Sequence, residues 1–399
     1  MSPVNPLLVL PAIGMALFTS FFFIKSTHKK LRDLRYKTID GLRGYLAFFV
    51  FLHHASLWYF YLHTNVWGEP PSRLFIHFGQ TSVALFFMIT GFLFFRKLIE
   101  SKTRPVDWSY FYISRILRLW PVYLLAMAIC IFIISILSQW KIAETGTGYA
   151  RELLQWCTFG ITGRPPINQT FFMDKITAGV TWTLIYEWLF YAMLPVIAVI
   201  FFKSRVKFLI LALSAGLIFL IFYYNLIRPI HFYSFLIGIM AAFFVKKPTL
   251  VSALSNHLFS VVALLCMATT VVFFETPYAI LPLTLIGIAF IGIACGNSFF
   301  GLLQLKVSRT LGQISYPLYL LHPIILFVTF RIIIGFEKAA ALNLYEYWLT
   351  IAAVALIVVA ICFVVHFVIE MPLMNAAAGT GMMIKNWYKG LIKRKINLK

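Results

Sequence analysis

Predominantly apolar stretches of the length that crosses a bilayer, about 17 to 25 residues, recur along this chain and constrain its fold more than any other feature. Eleven can be marked: 3–24, 41–63, 77–95, 117–138, 177–202, 207–224, 231–245, 258–274, 278–296, 315–335 and 346–369. Charged residues make up only 12% of the 399, too few to cover the surface of a soluble protein of this size. The pattern predicts an all-α polytopic integral membrane protein with about 11 transmembrane helices. The first run has no Lys or Arg before it and a basic cluster from Lys25 to Lys37 after it. That is the reverse of a signal peptide, so it reads as an uncleaved anchor with its N-terminus outside.

The formal net charge of +21 would suit a nucleic-acid binder, but the cations sit in short clusters between apolar runs. With the N-terminus outside, 26 of the 34 Lys and Arg fall on the inner side, as the positive-inside rule requires. The C-terminus is then cytoplasmic. The eight outer cations are Arg73, Lys141, Arg151, Arg164, Lys175, Arg228, Arg331 and Lys338. The longest outer loop, 139–175, reads as an irregular mouth with a short helix near 150–158. The five cysteines show no metal or disulfide spacing. Nucleophile-elbow, phosphate-loop, zinc-protease and dinucleotide motifs are absent from the sequence.

An ionisable side chain in hydrocarbon costs several kcal/mol unless it is paired or hydrated, so each one is a candidate for function. Asp40-Gly41-Leu42-Arg43-Gly44 is followed by His53 and His54. Arg43 and His54 are eleven residues apart, about 1100° of helical rotation and roughly 16 Å of rise. Both therefore face one way, Arg43 at the cytoplasmic mouth and His54 near the midplane. His53 points elsewhere and reads as a helix contact. Arg115 and Arg118 share a face at the inner end of another run, where two guanidiniums make a phosphate site or simply anchor the helix. Glu187 lies near the midplane and needs a partner; His54 and an arginine are at hand. His322 follows Pro317 and precedes Pro323, which are expected to break the helix beside a cavity. Glu370 reads as a structural partner for a basic loop. His77, His231 and His366 fall at run ends, where interfacial water accommodates them. No ligand spacing points to a metal.

These residues lie in six motifs whose order resembles the membrane-bound acyltransferase 3 family, which includes bacterial O-antigen and exopolysaccharide O-acetyltransferases. The motifs are Asp40 to Gly44 with Arg43 and His54; Phe86 to Phe92, with Thr90 where Ser is commoner; Arg115 and Arg118 with Trp120-Pro121; Trp182 to Tyr191; Ile314 to His322; and Glu370 with Pro372. The resemblance covers 38–373. It implies a ten-helix acyltransferase core there, with residues 1–37 as anchor helix and basic linker and 374–399 as basic tail. It also implies the cytoplasmic (inner) membrane of a bacterium. Cytoplasmic acyl-CoA, most often acetyl-CoA, is the implied donor, its phosphates held by Arg43, Arg115 and Arg118. His54 is then the general base, oriented by Glu187 or Asp40, or else carries the acyl group covalently. His53, Trp182, Tyr186, Tyr191, Tyr319 and His322 are assigned to the walls of the substrate tunnel. The implied acceptor is a hydroxyl of a cell-surface or lipid-linked glycan. Trp67, Trp140, Trp156, Phe171 and Phe172 either stack on its sugars or form an interfacial belt. Two other readings remain open: a transporter or flippase with His54 and Glu187 as a proton relay, and acylation of a small hydrophobic molecule.

Overall fold

The structure, a computed structural model, describes residues 2–27, 36–101, 106–170, 172–202, 206–224, 226–377 and 379. The basic linker after Thr27, Phe171 and the basic tail beyond residue 379 lie outside the described residues.

Each apolar run coincides with a helix. A 3-10 turn, Pro6–Val9, leads into α1 (Leu10–Phe22). Then come α2 (Lys37–Thr64), α3 (Arg73–Glu100) and α4 (Trp108–Leu137). The long loop carries α5 (Gly146–Cys157). It is followed by α6 (Trp182–Phe202), α7 (Phe208–Tyr223), α8 (Ile230–Phe244), α9 (His257–Phe273) and α10 (Ile280–Ala294). The chain ends with α11 (Lys306–Gln313), α12 (Ser315–Phe327) and α13 (Leu344–Val365). Among the described residues there is no strand, only an isolated bridge between Ile167 and Thr170.

Among the described residues six helices can cross a membrane by length and composition: α2, α3, α4, α6, α12 continued to Ile333, and α13 continued to Ala377. A seventh arises if α8 and Pro248–Leu254, bent by 114°, are one span. Helices α7, α9 and α10 have 16, 17 and 15 residues. At about 1.5 Å per residue they fall short of a roughly 30 Å hydrocarbon core. The surface is apolar: Phe208 is 84% exposed and Leu258 75%, while His322 is 0%. That inversion belongs to a protein whose outer solvent is lipid.

The glycines of the Asp40-Gly41-Leu42-Arg43-Gly44 motif set the position of α2. A Cβ on Gly41 would lie 2.0 Å from the Leu303 carbonyl oxygen, and one on Gly44 would lie 2.7 Å from the Gly312 nitrogen. In return, a Cβ on Gly312 would lie 1.8 Å from the Asp40 carbonyl oxygen. Backbone meets backbone here, the close approach that small residues allow between membrane helices. Gly91 and Gly238 do the same where α3 crosses α8.

Two expectations need correction. Pro317 occupies the first turn of α12, where a missing N–H is harmless. Pro323 does not break the helix: α12 runs through it to Phe327 and continues as a π-helical turn, Val328–Ile333. The chain breaks instead at Ile314, between α11 and α12. Second, His77, His231 and His366 are buried rather than exposed at run ends; they are 3%, 5% and 4% exposed. His77 bonds Thr81 and the Phe274 carbonyl, and His366 bonds Glu370.

The close approach at Gly312 predicts that Gly312→Ala lowers the thermal midpoint of detergent-purified protein. Overpacking of this kind costs about 1–3 kcal/mol. Gly14→Ala, where no atom lies within 4 Å, should leave the midpoint unchanged in the same fluorescence melt.

Candidate active site

Helix α2 is continuous from Lys37 to Thr64, so Arg43 and His54 share one rigid element. His54 Nδ1 lies 2.9 Å from His322 Nε2 on α12, and His322 Nδ1 lies 2.8 Å from the Leu318 carbonyl oxygen. A carbonyl only accepts, so His322 donates from Nδ1. A buried imidazolium without a carboxylate partner is costly, so the two rings are taken as neutral. His322 Nε2 then offers a lone pair, and His54 donates to it from Nδ1. His54 Nε2 is left without a proton. The side-chain hydrogen-bond partner of His54 is thus His322, rather than Glu187 or Asp40, and the Val50 carbonyl one turn back also bonds the ring. Tyr347 on α13 steadies the same stretch of α2 by donating to the Ala55 carbonyl at 2.5 Å.

His54 lines a cavity of about 1010 Å³, the histidine cavity. His53 lines it too, donating from Nδ1 to the Phe75 carbonyl at 2.8 Å. Its ring packs so closely on α3 that a Cβ at Gly79 would lie 2.7 Å from it. His53 is therefore a helix contact and a wall at once. Trp182, Tyr186 and Tyr319 line the same space. His322 is not among its lining residues; it stands behind His54.

Arg43, Arg115 and Arg118 line a second cavity of about 330 Å³, the arginine cavity. Arg43 Nη1 is 3.9 Å from Asp40 Oδ1, and Arg118 Nε is 3.9 Å from the buried Glu370. Glu370 also accepts from His366 Nδ1 at 2.6 Å, so its partners are Arg118 and His366 rather than a loop. The Arg115 guanidinium lies 5.1 Å from the centre of the Phe94 ring, within cation–π range. Glu187 accepts a hydrogen bond from Tyr191 one turn on, and both line this cavity with Tyr319. Arg43 and His54 thus line two neighbouring cavities, with Val83 and Tyr319 in the walls of both. The Tyr319 hydroxyl donates to the Val180 carbonyl at 3.0 Å and accepts from Thr183 at 3.1 Å.

Among the described residues no group of three or more His, Cys, Asp or Glu is placed to hold a metal ion. Of the aromatic residues considered for sugar stacking, Trp67 lines the histidine cavity. Trp156 is 1% exposed, Trp140 stands out at 68%, and Phe172 packs against Phe327.

Residues 36–367 match the sequence family described as "Acyltransferase domain" (Acyl_transf_3). The chain belongs to that acyltransferase family. It is also 28% identical over 188 residues to Nodulation protein 10 of Rhizobium leguminosarum bv. viciae, covering 44% of this chain and 48% of that protein. Over 112 residues it is 29% identical to Protein 2 in picA locus of Rhizobium radiobacter, covering 26% and 50%. The chain spans about half the length of these curated relatives. No solved structure matches it.

In this acyltransferase-family chain the sequence reading missed several residues. Arg96 and Lys97 line the arginine cavity, Arg96 pairing with Glu100 at 3.0 Å. Their signal was present as an Arg-Lys pair ending an apolar run, but it was absorbed into the inner-side charge count. Arg164, Arg228, His231 and Tyr278 line the histidine cavity. No spacing could reveal them, since they come from separate loops and helices.

The hydrogen-bond chain predicts the tautomer of His54. Nitrogen-15 NMR on histidine-labelled protein should show His54 protonated at Nδ1 and bare at Nε2. His322→Ala should weaken that preference, the Val50 carbonyl being left as an acceptor, while leaving His53, bonded to Phe75, as it was.

Proposed function

We propose that the chain is an O-acyltransferase of a bacterial inner membrane. It moves an acyl group, most simply acetyl, from cytoplasmic acyl-CoA to a hydroxyl of a cell-surface or lipid-linked glycan. In this reading all eleven apolar helices reside in the membrane. The first is an anchor, the other ten form the core, the N-terminus is outside and the C-terminus is cytoplasmic. The arginine cavity then opens inward. Arg43, Arg115 and Arg118, helped by Arg96 and Lys97, hold the nucleotide's phosphates there. The pantetheine arm passes between Val83 and Tyr319 to bring the thioester to His54.

The observation that supports this reading is that His54 lines a cavity large enough for a sugar while its Nδ1 is held by His322. A bare, oriented imidazole nitrogen is what general-base catalysis needs. His54 Nε2 takes the proton of the acceptor hydroxyl as its oxygen attacks the thioester carbonyl carbon. The C–S bond breaks, and the departing thiolate recovers the proton from His54 Nε2. His322 is a positioning residue: its Nε2 accepts from His54 throughout and stabilises the imidazolium that forms. Glu187 and Asp40 act at the donor end, where they limit the repulsion among the arginines. A proton relay from His54 to Glu187 finds less support, because Glu187 is hydrogen-bonded to Tyr191 and lines the other cavity.

Purified protein with labelled acetyl-CoA and a glycan panel tests this. His54→Ala should lower kcat by at least about 100-fold, with little change in the KM for acetyl-CoA. His53→Phe should keep most of the activity; the reverse result would transfer the role of base to His53. His322→Ala should lower kcat by roughly tenfold without moving KM, and His322→Gln, whose amide oxygen still accepts, should recover part of it. Arg118→Ala should mainly raise the KM for acetyl-CoA.

A further inference from the structure

The histidine cavity contains more than His54. Of the eight cations assigned to the outer side, two line it, Arg164 and Arg228. Arg164 is fixed by its loop. Trp156 Nε1 donates to the Pro165 carbonyl at 2.8 Å, and Gln155 donates to the Thr162 carbonyl at 3.0 Å. The side chain lies against Gly160, where a Cβ would meet Arg164 Cγ at 2.7 Å. Its Nε is shielded and has no hydrogen-bond partner, and among the described residues no carboxylate forms an ion pair with it. Burial draws its pKa below the ordinary guanidinium value, and Asp174 acts on it only through space. Arg228 is placed by its backbone N–H, which donates to the Tyr186 hydroxyl at 2.6 Å. Glu69, the one acid among the lining residues, accepts from Gln80 at 2.6 Å.

A second observation comes from α8. His231 is 5% exposed, lines the same cavity, and its Nδ1 has no partner. Its ring lies among Trp182 at 4.9 Å, Tyr186 at 5.0 Å and Tyr278 at 4.5 Å between centroids. The rings of Trp182, Tyr186 and Tyr278 can stack on a sugar, and the His231 imidazole stands among them at the cavity wall. A guanidinium at that wall without an ion pair suits an anionic oxygen group.

We propose that this cavity is the acceptor subsite for a negatively charged carbohydrate. His231 and the surrounding rings hold the sugar, and Arg164 with Arg228 holds a phosphate or carboxylate of the same molecule. The assignment rests on the acyltransferase reading for its role, but binding can be measured without any acyl donor.

The test uses the full chain in lipid nanodiscs, with tryptophan fluorescence reporting through Trp67 and Trp182. Three probes are titrated: a neutral glucose tetrasaccharide, a galacturonic acid tetrasaccharide and a polyprenyl diphosphate-linked sugar. At least one charged probe should bind about tenfold or more tightly than the neutral one. The tighter of the two identifies the anion as an acidic sugar or a lipid-linked phosphate. Arg164→Gln should erase the preference for charge and leave the neutral probe unaffected. Arg164→Lys should keep part of it, and His231→Phe should weaken all three. Equal binding of charged and neutral probes, no binding of any, or a preference that survives in folded Arg164→Gln and Arg164→Lys protein overturns the proposal. If His54-dependent transfer persists while charged binding fails, only the acceptor class falls. If binding holds while transfer proves independent of His54, only the catalytic reading falls.

Discussion

A hydrogen bond between two buried imidazoles, His54 on α2 and His322 on α12, organises this molecule. It joins helices whose bonded residues are 268 positions apart. It exists only because the Leu318 carbonyl takes the outer proton of His322 and leaves its other nitrogen as an acceptor. Each neighbouring feature serves that geometry. The glycines at 41, 44 and 312 let α2 approach the chain around α11 at backbone distance. Tyr347 ties Ala55, the residue after His54, to α13. In hydrocarbon, polar groups have no water to fall back on, so a two-ring pair of this kind is held by whatever the protein supplies.

Around that pair the polar groups are sorted to two ends. Cations gather about the Arg43 end of α2, held by Glu370, Asp40 and the face of the Phe94 ring. Aromatic rings, a lone imidazole and two arginines gather about the His54 end. Tyr319 belongs to both cavities and is fixed by Thr183 and Val180. A donor with a long arm and a bulky acceptor approaching from opposite sides would meet beside it. If the donor is the proposed acyl-CoA, such separation would keep its thioester away from bulk water until an acceptor is present.

Much of this was legible in the sequence because helical periodicity is local. Each of the eleven apolar runs coincides with a helix, though among the described residues only six or seven are long enough to cross a membrane, and the eleven-residue interval put Arg43 and His54 three turns apart on one helix. The glycines around Arg43 were visible, but their reason was not, since it lies in Leu303 and Gly312. The partner of His54 was not legible either. His322 sat in a recognised motif, yet nothing in spacing says that its Nε2 meets an imidazole on α2. Glu187 and Asp40 were the carboxylates offered to orient it, but Tyr191 one turn along claims Glu187 and Arg43 lies beside Asp40. Prolines misled for a related reason: Pro317 begins a helix and Pro323 is accommodated within one. Arg164 and His231 were missed because a cavity wall assembled from a loop and a distant helix has no period.

The most direct measurement is an electron cryo-microscopy structure of the full chain with a non-hydrolysable acyl-CoA analogue. The acyl carbonyl carbon should lie within attacking distance, about 3–3.5 Å, of a hydroxyl oxygen whose proton is hydrogen-bonded to His54 Nε2, the arm passing between Val83 and Tyr319 and the phosphates resting on Arg43, Arg115 and Arg118. An analogue whose acyl end stays on the arginine side of Tyr319, or whose phosphates bind elsewhere, would contradict it.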